Sequence, residues 1–161
     1  MCRLHKSKSA KVCQDFAGYG KNSMGWYYGM RMHLITDING VILQYGVTKT
    51  KCGEREWLLN QAQTTFKNYS ILFIGDKGYQ GVDFQSNIRQ TGNYLLTGIK
   101  QSKKNKLPLA NWQMWLFQMR ARIETCFGKL KCKYNLTSPK ARSSFAFCFG
   151  IILSLFTLIT S

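Results

Sequence analysis

Two apolar, β-prone runs, Trp26 to Thr36 and Val41 to Val47, are separated by Asp37-Ile38-Asn39-Gly40. Asn-Gly between such runs signals a hairpin. Residues 1 to about 25, ahead of them, form a basic arm containing Gly and Ser, with weak periodicity. Residues 54 to 67 place Trp57, Leu58, Ala62 and Phe66 along one face, which predicts a helix. Ser70 to Gly75 holds the apolar run Ile71-Leu72-Phe73-Ile74 and predicts a strand buried on both faces, ended by Asp76-Lys77-Gly78-Tyr79. A short helix near 82–90 and a strand near 94–99 follow, then a basic loop with Lys100, Lys103, Lys104 and Lys106. A long helix is expected from 111 to about 134 and an apolar one from 143 to 160. The order β-β-α-β-α-β-α-α predicts an α/β fold, a mixed sheet flanked by helices.

Phe145 to Thr160 reads like a membrane anchor at first sight. Its 16 residues fall short of the roughly 20 that a span requires, and Ser154, Thr157 and Thr160 interrupt it. A buried helix is the expectation, with no membrane as partner.

Charge narrows the class of partner. The chain has 161 residues, enough for one domain with a real core, and 45% of them are hydrophobic. Lys and Arg number 23 against 7 Asp and Glu, a formal +16, and self-repulsion on that scale calls for an anionic partner such as nucleic acid. Beyond Asp83 there are 12 basic residues and a single acid, Glu124. The six cysteines include no CxxC pair, and Cys2, His5 and Cys13 make at most a partial zinc site without a fourth ligand. The polar, basic N-terminus shows no signal peptide, so free thiols in a reducing cytoplasm are expected.

Two carboxylates stand where chemistry is done. Asp76 follows an apolar strand, and ligands of open α/β sheets gather at the carboxyl ends of strands. The plainer reading is an Asp that opens a turn or caps a helix. Glu124 lies on the long helix with Phe117, Arg120 and Lys131, all within about 60° of arc on a helical wheel. The apolar stripe Leu116, Ile123, Phe127, Leu130 and Tyr134 is adjacent, while Arg122, Lys129 and Lys133 fall on the opposite, solvated side. Here the plainer reading is an i, i+4 ion pair of Arg120 with Glu124.

These residues carry a resemblance. Phe117-x2-Arg120-x3-Glu124-x6-Lys131 resembles the Y-x2-R-x3-E-x6-K motif of DDE insertion-sequence transposases, with Phe for Tyr. Gly75-Asp76-Lys77-Gly78-Tyr79 looks like that family's G-D-x-G-Y, and Gly25 to Leu34 is similar to its strand G-W-x-Y-G-x-K-x-H-L. The resemblance implies a ribonuclease-H-like fold in which three acids bind two Mg²⁺ or Mn²⁺ ions for phosphodiester hydrolysis and strand transfer. Asp76 would be the second acid and Glu124 the third, both metal-binding and catalytic. Arg120 and Lys131 would hold DNA phosphate, as would Lys100, Lys103, Lys104 and Lys106 of the basic loop.

Phe117 lacks the hydroxyl of the family's Tyr. Cys2 falls where the family has a Cys shortly after its first Asp, which implies that this Asp and its central strand lie ahead of Met1. Neither Asp15 nor Asp37 is in that register. The expectation is therefore an incomplete ribonuclease-H-like fold: residues 1–25 a basic arm, 26–161 the greater part of a transposase catalytic domain. It would be a truncated or split reading frame, inactive alone. Its expected partners are DNA and either a second copy or a complementing upstream fragment, at the nucleoid in the cytoplasm. The alternatives are a non-catalytic basic nucleic-acid-binding module and a small membrane-anchored protein.

Overall fold

A computed structural model describes residues 17–22, 25–98, 110–133 and 143–159. The chain is mixed α/β, with small sheets and helices, and divides into two compact units, one of residues 1–52 with 122–161 and the other of 53–121.

The first unit is built on an antiparallel sheet of β1 (Gly18–Asn22), β2 (Gly25–Thr36) and β3 (Ile42–Lys49) in that order. The β2–β3 turn follows from its chemistry. Asp37 Oδ1 accepts the N–H groups of Asn39 and Val41, both at 2.8 Å, and Gly40 adopts φ +90°, which a side chain would strain. Strand β1 lies inside the segment assigned from sequence to a basic arm. Its alternation is masked by Gly18 and Gly20, and cross-strand contacts hold it instead. Tyr19 stands opposite Tyr28 with ring centroids 5.0 Å apart, and a Cβ on Gly20 would lie 2.7 Å from the Tyr27 ring. Thr50 Oγ1 donates to the Tyr19 carbonyl at 2.8 Å and fixes the root of the hairpin.

Opposed residues of antiparallel strands share a face. Met32 and Leu34 therefore look to one side, where Leu34 joins Leu130, Ile151 and Leu155 in the core, flanked by Met32, Ile42, Ile123 and Phe127. The helix-side residues belong to α4 (Ala121–Cys132) and α5 (Ser144–Ile159). The expected stripe of Ile123, Phe127 and Leu130 thus packs as the period requires, with Arg122, Lys129 and Lys133 exposed; Tyr134 lies outside the described residues. Helix α5 corrects the expectation of a buried helix. Ile151, Ser154 and Leu155 are buried, but Phe149, Ile152, Leu153 and Phe156 are exposed, because one layer of sheet covers only one side of a helix that is apolar all round. No described helix is long and apolar enough to cross a membrane.

The second unit pairs β4 (Leu72–Gly75) in parallel with β5 (Tyr94–Thr97). Helices α1 (Glu54–Gln63) and α2 (Val82–Gln90) accompany them, and α3 (Asn111–Met119) ends the unit. The predicted apolar face of α1 is buried as expected, through Trp57, Leu58 and Ala62, with Phe66 beyond its end. Strand β4 is less enclosed than expected. Phe73 is buried, Ile74 half-buried and Leu72 exposed, because a two-stranded sheet leaves one face of each strand thinly covered. Asn93 is wholly buried and ties the unit together. Its Oδ1 accepts Ile71 N–H at 3.0 Å, while Nδ2 donates to Phe66 O and Thr91 Oγ1, both at 2.9 Å.

The expected long helix is interrupted. Arg120 N–H donates to Phe117 O at 3.2 Å, an i to i−3 closure between α3 and α4. The wheel that placed Phe117 and Arg120 in phase with Glu124 and Lys131 assumed one unbroken ladder, whereas two helices meet at Arg120, which itself keeps helical dihedrals of φ −55° and ψ −29°.

Candidate active site around Asp76

Strand β4 delivers Asp76 at its carboxyl end, where the chain turns into a short 3-10 helix, Lys77–Tyr79. Tyr79 folds its ring over the strand end, and a Cβ on Gly75 would sit 3.1 Å from that ring, so any larger residue would push the ring aside by a few tenths of an ångström. Arg55 of α1 clamps the loop beyond. Its Nε donates to Gly78 O at 2.8 Å and its Nη2 to Gln80 O at 2.6 Å, with the guanidinium 5.7 Å from the Phe84 ring centre. Sequence reasoning missed Arg55, because nothing local marks a contact 23 and 25 residues away.

The Asp76 side chain is 67% exposed, so solvent and ligand can reach it. Oδ1 accepts Lys77 N–H at 2.6 Å and Arg120 Nη1 at 2.8 Å, contacts that leave Oδ2 out. The Lys77 N–H holds the carboxyl below its ordinary pKa against the opposing effect of burial, and the Arg120 guanidinium adds to the lowering. Asp76 is thus an exposed, fully ionised oxygen donor. The turn-opening role is met by one oxygen, and the other stands outside the loop's hydrogen bonds.

Glu124 and Lys131 are both exposed on α4, in the first unit, whereas Asp76 and Arg120 belong to the second. Lys100, Lys103, Lys104 and Lys106 lie outside the described residues, as do Cys2, His5 and Cys13. Among the described residues no three of His, Cys, Asp or Glu gather as a metal site. The donor chemistry nevertheless suits a hard cation. Ionised carboxylate oxygen is what Mg²⁺ and Mn²⁺ select, and one or two protein carboxylates with water and substrate phosphate is a usual Mg²⁺ shell.

The chain is thus a cationic α/β protein with an ionised carboxylate at the end of a parallel strand and an arginine beside it. A family model, the transposase DDE domain, matches residues 1–144, and the chain belongs to that family. No curated protein and no solved structure matches it.

Proposed function

We propose that this chain is the catalytic domain of a metal-dependent DNA transposase with a ribonuclease-H-like architecture, in which Asp76 and Glu124 each give a carboxylate to Mg²⁺ or Mn²⁺. The observation that carries the reading is Asp76: exposed, ionised, at the end of a parallel strand, in a chain of this family. When bound, the divalent ions supply Lewis acidity to the attack on a phosphodiester. The protein's own residues do the rest. Lys77 N–H and Arg55 hold the loop that aims Asp76, and Asp76 Oδ2 is the oxygen left for a ligand. Arg120 orients the carboxylate and presents a forked donor set for phosphate, with Lys131 and Lys100, Lys103, Lys104 and Lys106 as further phosphate contacts.

The family's substrate is DNA, and the sequence is basic enough to neutralise several phosphates. The family's first acid has no counterpart at Asp37, whose carboxylate is committed to the hairpin turn. The 161-residue chain is accordingly proposed to bind metal through Asp76 and Glu124 and DNA through its basic residues.

The test is Mn²⁺ titration of the purified chain, read by calorimetry or water-proton relaxation. Binding that is removed by a chelator and lost in both Asp76→Asn and Glu124→Gln supports the reading. Binding that survives both substitutions, or DNA binding without any metal binding, replaces it with a non-catalytic nucleic-acid-binding module.

A further inference from the structure

The sheet face that carries Met32 and Leu34 into the core continues outward along β2 to Tyr28 and Trp26. The opposed residues of β1 extend it: Tyr19 faces Tyr28, and Lys21 faces Trp26. This outer end is open. Trp26 is 59% exposed and Tyr19 55%, although indole and phenol rings are the side chains that gain most from being covered. The rings are already arranged as a platform, with Tyr19 set edge-on to Tyr28 at 5.0 Å and 60° and the Lys21 ammonium 5.9 Å from the centre of the Trp26 ring. Lys49, opposite Met30, puts a second exposed cation on the same face. Strands β1, β2 and β3 contain Lys21, Arg31 and Lys49 and no acid.

We infer that Trp26, Tyr19 and Tyr28, with Lys21 and Lys49, form a stacking site for unpaired bases of DNA. The inference rests on the reading of this chain as DNA-binding and adds which form of DNA this face takes. Every base has an apolar π-face that stacks on an aromatic ring, and the adjoining phosphates need cations, so aromatic rings with a basic rim fit single-stranded nucleic acid. Duplex DNA hides its base faces inside the stack and offers these rings nothing. A second copy of the chain fits poorly, because it would set Lys21 and Lys49 against another chain of formal charge +16.

The experiment uses the full chain with fluorescent oligothymidylate and, for comparison, a duplex of equal length, in fluorescence anisotropy at fixed moderate salt. Trp26→Ala should weaken oligothymidylate binding about tenfold and leave duplex binding within about twofold, while Trp26→Phe keeps most of the affinity. Lys21→Ala should instead flatten the dependence of log affinity on log salt by about 0.7 for the single strand. Circular dichroism establishes that each variant is folded. A measurement on the unsubstituted chain stands beside these, in which an oligonucleotide carrying 5-iodouracil is photocrosslinked and the adduct mapped; Trp26, Tyr19 or Tyr28 should carry it. Crosslinks confined to other segments, unchanged single-strand affinity in Trp26→Ala, or a dimer dissolved by Trp26→Ala would each overturn the inference. Duplex binding with no effect at Trp26 removes this inference alone, whereas failure to bind either DNA removes the DNA reading with it.

Discussion

His33 is 5% exposed on β2, and its Nε2 lies 2.7 Å from Thr48 Oγ1. Burial, and then the charge of Arg31, lower its pKa from 6.5 to about 4. The unfolded chain therefore takes up a proton that the folded chain refuses as pH falls below 6.5. The stability that His33 contributes is fully present above that value and drains away between pH 6.5 and about 4. We expect a loss on the order of 1–3 kcal/mol across this window in urea denaturation, and a flatter profile in His33→Gln. An unchanged slope in that variant would place the titration elsewhere. Asn93 is the other residue on which a unit depends. Asn93→Leu strands Ile71 N–H and Phe66 O, and should cost about 2–4 kcal/mol. Its importance was not legible in the sequence, because an asparagine beside Gly92 reads as a turn residue and its partners lie 22 and 27 residues away. Asp76 was legible, since a lone acid after an apolar run stands out from its neighbours; the hydrogen bond from Arg120, 44 residues on, was not.

Elements held by local chemistry were the readable ones. The β2–β3 turn depends on Asp37 and Gly40, and Gly40→Ala should destabilise the chain by about 1 kcal/mol. The cost comes from φ +90° alone, because the added Cβ would meet Cys126 Sγ at an ordinary 3.7 Å; thermal denaturation of Gly40→Ala beside Gly40→Asn separates strain from packing. Strand β1 escaped notice because two of its five residues are glycine and its rings pair across strands rather than along one. The break at Arg120 escaped for the opposite reason. Helical periodicity survives a single i to i−3 closure in composition, so the interruption leaves no mark in the pattern of apolar and polar residues.

The charge belongs to the whole molecule, and so does its consequence for DNA. With 23 cations against 7 acids, affinity for a duplex should fall by about two orders of magnitude or more between roughly 50 and 200 mM salt if several phosphates are engaged. A flat response would mean that the charge does not contact DNA. The division into units has a consequence of another kind. Residues 53–121 form a continuous stretch, whereas the first unit is written in two pieces on either side of them. During synthesis at about 5–20 residues per second, the middle unit can close while its neighbours wait. Leu34 has emerged long before Leu130, Ile151 and Leu155 exist to cover it. Every nascent chain therefore exposes the Leu34 face of its sheet for several seconds before the last helix arrives.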